Sequence, residues 1–159
     1  MAGSARGKVE ITDAEEAVLA DGGLEDLLGF HLRMAHFTMY QDFAATVGKL
    51  DLTQKQTAIL MLIAANPGLS QVSIAAYLGA DRATVMAMVD KLAARALIIR
   101  VKSETDRRKQ ELHLTPLGQR TLVKVRAQIA EHEKRFTSRF SARELEALFD
   151  ALRKIEKGA

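Results

Sequence analysis

The sequence predicts a mainly α-helical fold that carries one small β-hairpin. Helix-favouring Ala, Leu, Lys, Arg and Glu are frequent, and only two prolines, Pro67 and Pro116, interrupt the chain. Apolar residues recur at steps of three and four along most of the chain, which is the helical period. The pattern changes over residues 97–114, where two strand-like runs flank a charged tip. With 159 residues, the chain is long enough to bury one hydrophobic core.

The N-terminal quarter is predicted to contain a tail and two helices. Residues 1–23 form the tail and a short helix, which the capping-box pattern of Thr12 to Glu15 opens. A long helix follows from about Leu24 to Val47, because apolar residues recur there with helical spacing. These apolar residues are Leu24, Leu27, Leu28, Leu32, Ala35, Met39 and Phe43.

Three shorter helices are predicted over residues 51–95, each opened by a polar capping residue. The first ends at Asn66-Pro67-Gly68, since proline and glycine both interrupt helical hydrogen bonding. The second covers 70–78, and Gly79 supplies the turn to the third, which runs from Arg82 to Ala94. The capping residues are Thr53, Ser70 and Asp81, and the inward stripe of the third helix is Val85, Met88, Val89 and Leu92.

A hairpin and two further helices complete the predicted order. Residues 97–101 and 110–114 form the strands. Thr115-Pro116 starts a long helix to about Phe136, because proline is tolerated in a first helical turn. A third capping box at Ser141 to Glu144 opens the final helix. Its apolar stripe is wider than one packed neighbour requires, so we predict a dimer interface formed by Leu148, Phe149, Leu152 and Ile155.

Composition and charge restrict the class of protein. The chain has no cysteine, which excludes disulfides, thiolate catalysis and Cys-based zinc sites. It contains neither a signal-peptide core nor an apolar run of the roughly 20 residues that span a bilayer, so the expectation is a cytoplasmic protein with no membrane partner. The charge is uneven, at −4 over residues 1–50 and +8 over residues 91–139. A local cationic face suits a phosphate backbone, although a solvated surface of mixed charges is the alternative.

The two helices around Gly79 and the hairpin form the order of a winged helix-turn-helix module. Near the start of the second helix, Arg82 can pair with guanine, and Thr84 can hydrogen-bond or touch a thymine methyl. Ser70 and Gln71 are placed to meet phosphates. Arg107 and Arg108 at the hairpin tip suit a narrow minor groove. The full predicted DNA-binding set is Ser70, Gln71, Arg82, Ala83, Thr84, Lys91, Arg95, Arg100, Lys102, Asp106, Arg107, Arg108 and Lys109.

Residues 52–118 resemble the MarR family of bacterial transcription regulators. The resemblance depends on the order and spacing of several short pieces, each of which is weak alone. The pieces are Leu52-Thr53-Gln54-Lys55-Gln56, Leu78-Gly79-Ala80-Asp81-Arg82-Ala83-Thr84-Val85, Val89-Asp90-Lys91-Leu92, Leu97-Ile98-Ile99-Arg100, Asp106-Arg107-Arg108 and Leu114-Thr115-Pro116-Leu117-Gly118.

The resemblance implies a homodimer that binds a pseudo-palindromic operator on double-stranded DNA. Residues 24–50 and 116–159 would be the dimerisation helices, and residues 51–115 the DNA-binding module of one integrated domain. Asp106 and Arg108 would be the wing's aspartate–arginine pair. Ala96 departs from the family pattern, which has glycine there, so a positive φ at this position would strain the alanine.

The resemblance also implies a repressor that a small effector releases from DNA, such as an aromatic acid or its CoA thioester. No other cofactor is predicted. The first long helix mixes apolar and hydrogen-bonding groups that suit such a ligand, although the same spacing fits an ordinary core. The candidate ligand residues are His31, Arg33, Met34, His36, Phe37 and Tyr40, and Arg120, Lys124 and Arg126 are candidates for the CoA phosphates.

Three alternatives remain at this stage. A metal-responsive regulator would use His31, His36, His113 and His132 with carboxylates, although His31 and His36 are five residues apart and therefore lie off one helical face. An enzyme is not expected, because the sequence has no glycine-rich phosphate loop and no nucleophile motif. A DNA-compacting protein is disfavoured because the positive charge is concentrated on one module.

Overall fold

A computed structural model of the protein describes residues 20–103 and 110–158. The chain divides between His36 and Phe37 into two compact units. This boundary lies inside the first long helix, α1, which covers Leu28–Thr46. The assignment of residues 24–50, 51–115 and 116–159 to dimerisation and DNA binding remains a prediction.

The first unit contains a 3-10 turn at Leu24–Asp26 and the start of α1. The predicted helix from Leu24 to Val47 is therefore interrupted at Leu27, whose backbone is extended. A side-chain contact accompanies the interruption, since the ring of His31 donates from Nε2 to the backbone oxygen of Glu25 at 2.7 Å. The predicted short helix opened by Thr12 lies outside the described residues.

The second unit holds the rest of α1 and the remaining elements. These are a 3-10 turn Val47–Leu50, α2 Gln54–Ala65, α3 Gln71–Leu78, α4 Arg82–Ala94, β1 Ile98–Lys102, β2 Gln110–Leu114, α5 Pro116–Thr137 and α6 Ala142–Glu156. The order and bounds agree with the sequence prediction within one or two residues. Thr53, Ser70, Asp81, Thr115 and Ser141 all accept a hydrogen bond from a first-turn backbone N–H, which confirms the predicted caps.

The core of this unit is formed where α2, α3 and α4 pack beside the hairpin. Ile59, Leu60 and Ile63 of α2 are buried, as is Leu112 of β2. Strands β1 and β2 are antiparallel, and an isolated bridge pairs Leu69 with Leu112. The hairpin is therefore attached to the start of α3, so the wing and the helix pair form one module.

No single helix in the described ranges is long and apolar enough to cross a membrane. The pair α3 and α4 has sufficient length and apolar character only when the two helices are taken together, and they are bent by 120°.

The turn from α4 to β1 places Ala96 in the left-handed region, with φ of 53°. The sequence raised this possibility because the resembled family has glycine there. The turn is held by hydrogen bonds from Ala96 N to Ala93 O at 2.8 Å and from Leu97 N to Leu92 O at 3.0 Å. The alanine is therefore kept in a conformation that costs an L-residue about 1–2 kcal/mol.

Ala96→Gly is expected to increase the free energy of unfolding by about 0.5–1 kcal/mol, because relief of the left-handed strain exceeds the extra entropy of an unfolded glycine. Urea denaturation at fixed protein concentration measures the change. Ala94→Gly, two residues earlier in helical conformation, is the matched control and should destabilise by a similar amount. Equal destabilisation by both glycines would contradict the assigned strain.

A buried histidine connects α5 to the second half of α1. His132 is 2% exposed, and its Nδ1 lies 2.6 Å from Oδ1 of Asp42. The guanidinium of Arg135 donates to both oxygens of the same carboxylate, at 3.0 Å from Nε and 2.8 Å from Nη2. Phe43 and Phe136 present ring edges to the imidazole. The hydrogen bonds from Arg135 first, and then from His132, hold the pKa of Asp42 below its ordinary value.

Acid is therefore expected to destabilise the protein through Asp42. A carboxylate whose folded-state pKa is lowered stabilises the fold above its unfolded pKa, near pH 4, and that contribution is lost as the pH falls further. Asp42→Asn should lower the melting temperature at neutral pH and flatten its decline below about pH 4. Asp150→Asn is the control, since its pair with Arg153 is exposed. An acid profile of Asp42→Asn parallel to the parent would contradict the assignment.

Candidate nucleic-acid interface

The outward face of α4 is the centre of the candidate interface. Val85, Val89 and Leu92 are buried beneath it. The exposed residues of the first two turns follow one another at helical spacing, and they are Arg82, Ala83, Met86 and Ala87. This face therefore combines one cation with three apolar side chains.

Arg82 is exposed at the first position of α4 and makes no hydrogen bond or ion pair with any residue in the described ranges. A guanidinium in this position can donate two parallel hydrogen bonds to O6 and N7 of guanine. Arg82 is thus available for the role that the sequence predicts.

Thr84 differs from Arg82, because its hydroxyl is already engaged. It donates to Oδ2 of Asp81, while the Thr84 backbone N–H donates to Oδ1 at 2.7 Å. The side-chain hydrogen bond first, and then the backbone one, lowers the pKa of Asp81. Thr84 is half-buried and completes the helix cap, so the predicted donation to a base would require this cap to open.

The start of α3 is similarly ordered by its own side chains. The Ser70 hydroxyl accepts from Ser73 N at 3.1 Å and lies 2.9 Å from the Ser73 hydroxyl. When the Gln71 amide is oriented with its oxygen towards the Arg100 guanidinium, this oxygen accepts from Nε of Arg100 at 3.2 Å. Ser70 and Gln71, the two residues predicted to contact phosphates, are therefore held in place by hydrogen bonds at the start of α3.

Arg100 connects the wing to both helices of the module. Its guanidinium pairs with the carboxylate of Asp90 on α4 in addition to the contact with Gln71. The predicted phosphate contact of Arg100 is thus in competition with this ion pair. The pair also offsets a negative charge on the exposed face of α4, which would otherwise repel DNA.

Arg95 and Lys91 lie towards the other end of α4 from Arg82. Arg95 donates to the backbone oxygens of Leu50, at 3.0 Å, and Asp51. Arg95 therefore makes a structural contact between α4 and the turn before α2, and its predicted DNA contact, which would compete with these hydrogen bonds, remains a prediction. Lys91 is exposed in the last turn of α4 and keeps its predicted role as a proposal.

The wing is described only in part. Lys102 is exposed at the end of β1, beside the tip. The predicted tip residues Asp106, Arg107, Arg108 and Lys109 lie outside the described residues, so their predicted contacts remain predictions.

A cleft of about 540 Å³ lies between the second half of α1, the start of α2 and the end of α4. Its walls include the aromatic rings of Tyr40 and Phe43, the amides of Gln54 and Gln56, and the cations Lys91 and Arg95. Tyr40 is the member of the predicted ligand set that lines it. Phe37, which belongs to the same unit, does not line it, and His31, Arg33, Met34 and His36 belong to the other unit. Of the six residues predicted to bind a ligand, Tyr40 therefore lines this cleft. The other lining residues were not predicted to bind a ligand.

A second cleft of about 340 Å³ lies between α2, β2 and α5. Arg126, a candidate for CoA phosphates, and His113 line it together with apolar residues. Arg120 and Lys124 are exposed on the same helix. Arg126 is therefore the member of this predicted phosphate set that lines the cleft, and the predicted role of all three cations remains a prediction.

The apolar stripe of α6 is uncovered in the single chain. Leu148, Phe149 and Ile155 are exposed and Leu152 is half-buried, and no residue of this helix is buried. The sequence analysis assigned these four residues to a dimer interface, and their exposure is what such an interface requires before assembly.

The metal-responsive alternative gains no support from the geometry. Across the described ranges, no three His, Asp or Glu side chains come together as a metal site. His132, one of the histidines considered for that role, is instead hydrogen-bonded with Asp42.

Sequence reasoning missed several exposed apolar side chains of the module, among them Met86 and Tyr77, which are 52% and 77% exposed. A signal for Met86 was present, because positions 82, 83, 86 and 87 share one helical face. Tyr77 had no such signal, because the apolar residues of α3 fit a short helix that packs into the core.

Comparison with known proteins agrees with this geometry. A family model described as MarR family matches residues 50–109. A protein of Thauera aromatica, named as a transcriptional regulatory protein for the hcr operon, is 34% identical over 151 residues, which cover 94% of this chain and 90% of that protein.

Solved structures of similar chains extend the comparison. The transcriptional repressor CouR bound to a 23-mer DNA duplex is 37% identical, has a TM-score of 0.83, and is matched over 88% of this chain and 99% of CouR. CouR bound to p-coumaroyl-CoA is 35% identical, with a TM-score of 0.81 and coverage of 89% and 99%. The arrangement of helices and hairpin is therefore shared with a DNA-bound and a ligand-bound protein.

Proposed function

Because this chain belongs to the MarR family of transcriptional regulators, we propose that it is a homodimeric repressor that binds a pseudo-palindromic DNA operator and is released by an aromatic acid or its CoA thioester. The main support for DNA binding is Arg82, which is exposed at the N-terminus of α4 and makes no hydrogen bond or ion pair with a described residue. Each subunit would place this helix in the major groove of one half-site.

Operator binding can be tested with the purified protein and the DNA upstream of its own gene. A gel shift at modest salt is expected to reveal a retarded complex that specific DNA competes away and random DNA does not. The affinity should fall as the salt concentration rises, since phosphate contacts release counterions. Equal competition by random DNA would reject sequence-specific regulation.

Dimerisation is assigned to α6 because its apolar stripe is exposed in the single chain. Placing a charge at the centre of this stripe with Phe149→Glu is expected to shift the dimer towards monomer by at least about ten-fold, since an unpaired buried charge is costly. Analytical ultracentrifugation measures this shift, and operator affinity should fall with it. Ala147→Glu places the same charge on an exposed α6 position away from the stripe, and should leave the dimer intact.

The effector is assigned to the cleft that Tyr40, Phe43, Lys91 and Arg95 line. Aromatic walls suit a phenyl ring, and Lys91 suits a carboxylate or a thioester oxygen, whereas Arg95 is held by the backbone oxygens of Leu50 and Asp51. The structure of CouR with p-coumaroyl-CoA supports this ligand class. The exposed α5 cations Arg120 and Lys124 would accompany the CoA phosphates.

Release from DNA would then be a population shift. A ligand bound between α1 and the end of α4 favours dimers whose two α4 helices are wrongly spaced for the operator. Titration of the operator complex with p-coumaroyl-CoA, p-coumarate and free CoA separates the contributions of the acyl group and the nucleotide. Tyr40→Ala should weaken the response to the effective ligand without weakening operator binding. An unchanged response would exclude this cleft.

A further inference from the structure

The first two turns of α4 present a largely apolar surface to the solvent. Beside Arg82, the exposed residues are Ala83, Met86 and Ala87. Met86 keeps about half of its surface exposed, at 52%, although neighbouring Val85 and Val89 are buried. This face therefore combines an exposed methionine, two small residues and an arginine. Such a surface suits a partner that has both polar and apolar groups.

The polar side chains around this surface are already satisfied within the module. The Thr84 hydroxyl donates to Asp81, and the Ser70 and Ser73 hydroxyls bond each other. Gln71 and Asp90 both hold Arg100. Among the described residues, Arg82 is therefore the one side chain in the first two turns of α4 that can donate a hydrogen bond to a base without breaking an existing contact.

A single arginine identifies a guanine but cannot define the rest of a half-site. The major groove offers one apolar mark, the C5-methyl group of thymine, and alanine and other apolar side chains recognise it by contact. Small Ala83 and Ala87 allow close approach to the base edges. Met86 is long and unbranched, so its thioether can follow an irregular surface.

The charges around the patch favour this occupant over an apolar protein surface. Arg82 and Lys91 lie on the same helix, and Lys102 is exposed at the end of β1. The carboxylate of Asp90 is paired with Arg100. An apolar patch on a helix that also carries exposed cations fits thymine methyl groups flanked by phosphates.

We propose that Ala83, Met86 and Ala87 recognise thymine methyl groups beside the base that Arg82 contacts. This inference rests on the proposed operator binding and adds the chemistry by which the half-site is recognised. Burial of one methyl group corresponds to about a four-fold change in affinity. Two symmetry-related half-sites therefore give about 15-fold for one thymine position.

The test uses the full-length protein and the duplex that it enriches from a random-sequence pool. Each thymine of the enriched half-site is replaced in turn by deoxyuridine, which removes the C5-methyl group and keeps every hydrogen-bonding atom. At one or more positions, symmetric replacement is expected to weaken binding by about 15-fold. Met86→Ala should reduce the thymine-to-deoxyuridine ratio at the position that Met86 contacts to near one.

Met61→Ala is the matched control, because Met61 is also an exposed methionine but lies on α2. It should preserve the ratio of the parent protein. The proposal would be overturned if every deoxyuridine duplex bound within two-fold of the thymine duplex. It would also be overturned if Met86→Ala left the thymine-to-deoxyuridine ratio unchanged at every thymine position. Failure of the pool to enrich any sequence is a different result, and it would overturn the proposed function together with this inference.

Discussion

Gly118→Ala is expected to lower the free energy of unfolding by about 3 kcal/mol, the upper range for an overpacked core position. Gly118 lies in the first turn of α5 and is buried. A β-carbon at this position would lie 2.0 Å from the backbone oxygen of Leu97, far inside van der Waals contact. The clash is with main chain, so it cannot be relieved by a rotamer change.

The backbone near Gly118 cannot easily move apart, because several hydrogen bonds hold it. Thr115 N donates to Leu97 O at 3.1 Å, and the Thr115 hydroxyl donates to Ala96 O at 2.6 Å. The same hydroxyl accepts from Gly118 N at 2.9 Å. Relief of the clash would therefore open the joint between the wing and α5.

Urea denaturation at fixed protein concentration measures the effect, and loss of soluble protein is an equally expected outcome. Gly48→Ala is the matched control, since its added β-carbon would meet Ala44 at 4.0 Å, an ordinary contact. It should be neutral or slightly stabilising, by up to about 1 kcal/mol. A Gly118→Ala protein as stable as the control would contradict the close approach of α5 to the first wing strand.

Arg82→Ala is expected to produce the largest loss of operator affinity. A bidentate arginine–guanine contact contributes about 1–3 kcal/mol of discrimination, and a dimer makes two of them. The expected loss is therefore about 30-fold to 20,000-fold on the specific duplex, and much less on random DNA. Folding should be unaffected, because Arg82 is exposed and makes no hydrogen bond or ion pair with another described residue.

Arg82→Lys separates base recognition from phosphate attraction. Lysine keeps the positive charge but cannot reproduce the planar bidentate geometry. Binding to random DNA and its salt dependence should therefore stay close to those of the parent, while specific affinity falls. If the Arg82→Lys protein kept the full specificity of the parent, Arg82 would be acting on phosphates, and the proposed orientation of α4 would be wrong.

The local elements of this protein were predictable because their causes are local. The bounds of α4 follow from the Asp81 cap and from apolar residues at helical spacing, and both involve residues within four positions of each other. The capping boxes at Thr53 and Ser141 are similar cases. Ala96 was predictable only in part. The sequence showed that alanine is unusual at this position, and the structure showed that its φ is positive.

The sequence by itself determined the order of the helices, their caps, the apolar faces and the candidate role of Arg82, because these depend on spacing along the chain. Tertiary structure decided which polar groups remain available. His132 meets Asp42 across 90 positions, Arg95 reaches Leu50 across 45, and Arg100 joins Gln71 to Asp90. Hydrogen bonds between distant residues depend on how elements pack, and no periodicity encodes them. In the first two turns of α4, the exposed surface therefore consists of one arginine among apolar side chains, while the predicted DNA contacts of Lys91, Lys102 and the hairpin tip remain predictions.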